Sequence, residues 1–119
     1  LYTFYGMRTL EEADPEFHPY YEGAMEKRDM AYHQGTVWTF PLGAYYLAYL
    51  KVHAYSERAK QDVKEQLEVL ECALKEGCIG QLPEIYDGKN PVSSKGCFAQ
   101  AWSVGELLRV YEQIEKKKK

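Results

Sequence analysis

The chain has 119 residues, the size of one small domain that buries roughly two-thirds of its unfolded surface. Its formal net charge is −3, and four of its fifteen Lys and Arg residues form the terminal run 116–119, which leaves eleven against eighteen acidic residues; an acidic body with one basic tip excludes nucleic acid as the main partner. No apolar run is long enough to span a bilayer, and His18, His33, His53, Cys72, Cys78 and Cys97 match no ligand spacing, so no membrane partner, metal or cofactor is expected.

The odd number of cysteines fits reduced thiols in a cytoplasmic protein. The chain opens at Leu1 with no signal-peptide pattern, and the expectation is a piece cut from a longer protein. Aromatic content is high, with eleven Tyr, four Phe and two Trp; such rings serve carbohydrate sites and ordinary helix packing alike.

Residues 1–35 show no sustained period and are punctuated by Gly6, Pro15, Pro19, Gly23 and Gly35. A helical turn fits residues 9–13, with Thr9 as N-cap and Glu11 and Glu12 at its positive end. So long an irregular segment is either a functional loop or a piece without its packing partners.

From Pro41, suited to a first helical position, to His53, the residues are apolar on nearly every face, which predicts an inner helix buried on all sides. Ser56 caps the next helix, over 57–76. Its Ala59, Val63, Leu67, Leu70 and Leu74 form one stripe and the other face is wet. Gly77 takes the C′ position.

The loop Gly80-Gln-Leu-Pro-Glu-Ile-Tyr-Asp-Gly88 follows. Pro83 fixes its own φ and drives Leu82 into an extended conformation, so the approach to Glu84 is stiff. A carboxylate on a stiff loop beside Tyr86 suits sugar chemistry, in which a ring stacks on a pyranose and an acid group moves a proton. The plainer reading makes Glu84 a solvated loop acid and Tyr86 a core plug; Asp87, just before Gly88, reads as a turn former. A third helix spans 97–115, with Phe98, Ala101, Trp102, Val104, Leu107, Leu108 and Tyr111 as a broad apolar surface. The terminal Lys run complements the dipole of its end. The expected fold is all-α, three main helices in the order inner, outer, inner after a long irregular N-terminal segment. A barrel of helical hairpins and a plain bundle both give this pattern.

Three motifs stand in order: Arg28-Asp-Met-Ala-Tyr-His-Gln-Gly-Thr-Val-Trp38, Gly77-Cys-Ile-Gly-Gln-Leu-Pro-Glu-Ile-Tyr-Asp-Gly88 and Gly96-Cys-Phe-Ala-Gln-Ala-Trp-Ser103. Together they closely resemble the C-terminal end of the glucosidase domain of glycogen debranching enzymes, the amylo-α-1,6-glucosidase type. The resemblance runs from about Tyr5 to Tyr111. It implies that residues 1–119 are a C-terminal fragment of a catalytic domain, a partial (α/α)₆ toroid similar to that of glucoamylases. It further implies that the parent hydrolyses α-1,6 branch linkages of glycogen or another branched α-glucan with inversion.

On this resemblance Glu84 is the catalytic base, and the acid lies upstream. His33, Gln34 and Trp38 match positions at the mouth of the barrel, and the segment Gln100 to Ser103 supports the same rim. Tyr86 and Trp102 complete the substrate-binding candidates, with sugar contact favoured for Trp38 and packing for Trp102. Arg28 and Asp29 read as a structural ion pair. Thr39 departs from the family pattern, where a proline is expected after Trp38. Two alternatives remain open: a glucoamylase- or trehalase-like glycosidase, and a non-catalytic helical sugar-binding or interaction module. The exposed faces of the two inner helices are expected to drive self-association of the chain by itself.

Overall fold

The computed structural model describes residues 1–76 and 78–116. Four helices, α1 (Met25–His33), α2 (Pro41–Val52), α3 (Glu57–Glu71) and α4 (Ala101–Glu115), combine with four two-residue strands, β1 (Met7–Arg8), β2 (Val37–Trp38), β3 (Ile85–Tyr86) and β4 (Ser94–Lys95). The strands form one antiparallel sheet in the order β1-β2-β3-β4. The fold is therefore mainly helical with a small sheet, a correction to the expected all-α class. Two-residue strands leave no alternation to read, because a period of two needs several residues to declare itself.

Three helices form where the patterns placed them, and their ends differ. Ser56 caps α3 by accepting from the Ala59 amide at 3.3 Å, and Ala59, Val63, Leu67 and Leu70 are buried on one stripe. The helix stops at Glu71 and tightens into a 3₁₀ turn over Cys72–Lys75; the expected C′ glycine, Gly77, lies outside the described residues. Helix α2 begins at Pro41, but it buries only the stripe Leu42, Gly43, Tyr46 and Leu50. Its opposite face is open, with Val52 82 % exposed, so among the described residues it is not covered on all sides.

The expected third helix loses its first four residues. The Glu84 amide donates to the Cys97 carbonyl at 2.8 Å, and the Gln100 amide donates to the Leu82 carbonyl at 2.8 Å. Pairing with the Glu84 loop takes the backbone that a helical start would need. Phe98, assigned to the apolar helix face, is 70 % exposed as a result.

The N-terminal segment departs most. Residues 9–13 form turns, not a helix. Thr9 does not cap: its hydroxyl donates to the Thr36 carbonyl and accepts from the Gly35 amide. Helix α1 was not expected; its N-cap Ala24 offers no side-chain cap, and Ala31 is its one buried residue.

Helices α2 and α4 pack closely, Gly43 meeting Glu106 near the start of each. Helix α3 runs against α4 in the opposite sense. Near its start Lys60 Nζ donates to the Lys116 carbonyl at 2.9 Å, and at its end Glu71 accepts from the Tyr111 hydroxyl. The core between them holds Tyr46, Leu50, Val63, Leu67, Leu107 and Val110, and it continues through Val37, Leu82 and Tyr86 toward the sheet. Strand β2 leads into α2, and β4 leads toward α4. The sheet is thereby tied to the N-terminal ends of two parallel helices.

Candidate active site

Glu84 directly precedes β3. The register Trp38↔Ile85 sets β3 beside β2, and β2 follows α1 after a short turn. This brings the last turn of α1 to the Glu84 side chain across 52 positions of sequence. The Tyr32 hydroxyl donates to Glu84 Oε1, and the Cys97 amide donates to Glu84 Oε2 at 3.0 Å. The carboxylate is half-buried and carries one donor on each oxygen.

Tyr32 is itself held on several sides. Its ring meets Tyr21 at 5.6 Å, His33 at 4.8 Å and Trp38 at 4.6 Å between centroids. Its carbonyl accepts from Trp38 Nε1 at 3.0 Å and from Thr36 Oγ1 at 2.9 Å. Burial first, and then the hydrogen bond to Glu84, pushes the Tyr32 phenol well above the usual tyrosine range, so it remains a donor at any ordinary pH.

The sequence candidates divide by exposure. His33 is exposed and lies parallel to the Trp38 ring at 6.0 Å. Trp102 is 47 % exposed and stacks on Phe40 at 4.3 Å. Trp38 is 7 % exposed, with its N–H spent on Tyr32 and Thr36. Gln34 is half-buried and accepts from the His18 amide through its carbonyl at 2.6 Å. Tyr86 is 1 % exposed, and its hydroxyl has no partner among the described residues. Tyr21, Tyr32 and Phe40 were not singled out from the sequence. Tyr32 lies inside the motif Arg28 to Trp38, but no local spacing links it to Glu84.

Asp87 is 4 % exposed. It accepts from the Tyr21 amide at 3.0 Å and lies 3.8 Å from Lys95 Nζ, so it is committed to holding the loops. Among the described residues Arg28 and Asp29 form no ion pair; the Arg28 guanidinium sits 5.8 Å over the Tyr21 ring instead. Thr39 is fully buried and donates to the Tyr5 carbonyl at 2.7 Å, a tie that a proline would not make. Among the described residues no group of three or more His, Cys, Asp and Glu side chains could hold a metal ion, and no helix is long and apolar enough to cross a membrane.

A carboxylate held by two donors at the edge of an aromatic wall is suited to proton transfer on a sugar. The chain belongs to the amylo-alpha-1,6-glucosidase family, whose profile matches residues 1–109, and so to the glycosidase domains related to glycogen debranching enzymes. No curated protein and no solved structure matches it.

Proposed function

We propose that this chain is part of the catalytic domain of an inverting α-1,6-glucosidase that removes glucose from the branch points of glycogen-like α-glucans, with Glu84 as the general base. The observation that carries the reading is the double hydrogen bond on Glu84, in a chain of this family. In the reaction, a carboxylic acid protonates the glycosidic oxygen as the C1–O bond breaks. Glu84 takes a proton from the water that attacks C1 from the opposite face, and the anomeric configuration inverts. Asp87 is buried and paired and is not the acid in this reading; on the family resemblance the acid lies upstream, roughly 6.5–9.5 Å from Glu84 when assembled.

The parallel pair α2 and α4, with antiparallel α3 against them, fits two inner helices and one outer helix of an (α/α)₆ toroid. Exposed His33 and Trp102 contact the sugar in this reading; Gln34, Trp38 and Tyr86 support the rim from beneath. The open faces of α2 and α4, including Val52 and Leu108 at 82 % and 63 % exposed, would pair copies of the isolated chain. The free cysteines fit a reducing, cytoplasmic setting.

The test is glucose release from a branched limit dextrin by the full-length protein carrying Glu84→Gln. We expect a fall of about 10²–10⁴-fold with dextrin binding retained. Unchanged turnover would remove the hydrolase reading. Comparison of α-1,6 with α-1,4 substrates on the unmodified protein separates debranching from a glucoamylase-like specificity.

A further inference from the structure

Glu84 has two oxygens and, among the described residues, one donor on each: a main-chain amide at Cys97 and a side-chain hydroxyl at Tyr32. The amide is part of a backbone ladder that also ties Glu84 N–H to the Cys97 carbonyl. It anchors one oxygen but leaves the carboxylate free to turn about its own bond. A donor on the second oxygen fixes the plane, and with it the lone pairs that face an attacking water.

We propose that Tyr32 is a positioning residue for the base, holding the plane and the charge of the Glu84 carboxylate during turnover. The proposal rests on the reading of Glu84 as the base. The hydroxyl is aimed by contacts on both the ring and the backbone of Tyr32. Tyr21, His33 and Trp38 wall the Tyr32 ring, while Trp38 Nε1 and the Thr36 hydroxyl grip its carbonyl. Trp38 thus serves the site through Tyr32. The titratable and charged groups around the pair are Tyr21, His33 and the Cys97 thiol, with Arg28 beyond the Tyr21 ring. None of them offers a second hydroxyl to Oε1 among the described residues. A core tyrosine that had merely found an acceptor would make the same bond, so the two roles are separated by kinetics.

The experiment is Tyr32→Phe in the full-length protein, which keeps the ring and removes the donor. Dextrin hydrolysis is measured across pH beside Glu84→Gln. A hydrogen bond to a charged group is worth a factor of about 10–100, so kcat falls by that factor while KM stays within about twofold. The acidic limb of kcat/KM moves up by about one pH unit, because the charged carboxylate has lost a donor. Single-site 3-fluorotyrosine at position 32, a stronger donor of nearly the same shape, moves the limb the other way and serves equally if the phenylalanine variant does not fold. An unmoved limb with unchanged kcat overturns the proposal. So does a loss in which kcat, KM and melting temperature change together with the limb unmoved, since that marks packing alone. If Glu84→Gln retains full turnover, the glucosidase reading itself fails, a different outcome from failure of Tyr32 alone.

Discussion

Gly96 is where backbone conformation and the candidate site meet. Its φ is +68°, and alanine in this left-handed region costs about 1–2 kcal/mol. A Cβ at position 96 would also stand roughly 1 Å inside van der Waals separation from Glu84 Oε2. It would lie 3.2 Å from Glu84 Cβ and from Ile85 Cγ1. Ile85 is fully buried and Glu84 Cβ is fixed by the backbone, so relief comes from turning the carboxylate off its two donors. A misplacement of about 1 Å at a reacting group costs about 10²-fold in rate. Gly80 supplies the control. Its φ is +75° and a Cβ there meets nothing within 4 Å, so Gly80→Ala carries the same backbone strain without the collision. We expect Gly96→Ala to lower kcat on limit dextrin about 10²-fold and Gly80→Ala to leave it unchanged. Denaturant unfolding should show both variants destabilised, Gly96→Ala the more, because it adds the collision with Glu84 and Ile85 to the shared backbone strain. Equal kcat values for the two variants would refute the reasoning, because the Glu84 contact would then have no consequence.

Tyr86→Phe should be neutral or slightly stabilising by denaturant unfolding, since it deletes a buried hydroxyl with no partner among the described residues; a loss above about 1 kcal/mol would reveal a partner. Stability should also fall steeply at high pH. Burial raises the phenols of Tyr46 and Tyr86, with the hydrogen bond to Tyr2 adding to Tyr46 and the charge of Glu76 to Tyr86. Both stay protonated in the folded chain, while unfolded tyrosines ionise from about pH 10. Their contribution is complete below that pH and is lost as pH rises beyond it, at about 1.4 kcal/mol per pH unit for each. Unfolding midpoints that stay flat between pH 9 and about pH 11 would contradict this.

The legible parts of the fold are those whose signal is local. The stripe Ala59, Val63, Leu67 and Leu70, the Ser56 cap and the proline that opens α2 each act within a turn or two, and each appears in the structure. Helix α1 has no such signal, because it packs by Ala31 and by aromatic contacts at its end instead of by an apolar stripe. The overrun of α4 has the same origin in reverse. Residues 97–100 carry a helical pattern, but their amides and carbonyls are claimed by a loop more than ten positions upstream. Tertiary pairing there outweighs local propensity.

The same distinction governs the site. Glu84 was legible as a candidate because Pro83 and the loop glycines mark a stiff turn, and because the motif around it resembles a known one. Its environment was not, since it is assembled from three segments: the end of α1, the approach to β3 and the turn before α4. The sheet makes this assembly possible. The pairs Trp38↔Ile85 and Ile85↔Lys95 put the residue after Glu84 between the strand that follows Tyr32 and the strand that precedes Cys97. Strands of two residues add few ladder hydrogen bonds, although β2 and β3 bury Val37, Trp38, Ile85 and Tyr86. Their effect is geometric: each fixes one donor of the carboxylate relative to the other. A slip of one residue in either register would turn Glu84 to the opposite face of the sheet and separate it from both donors.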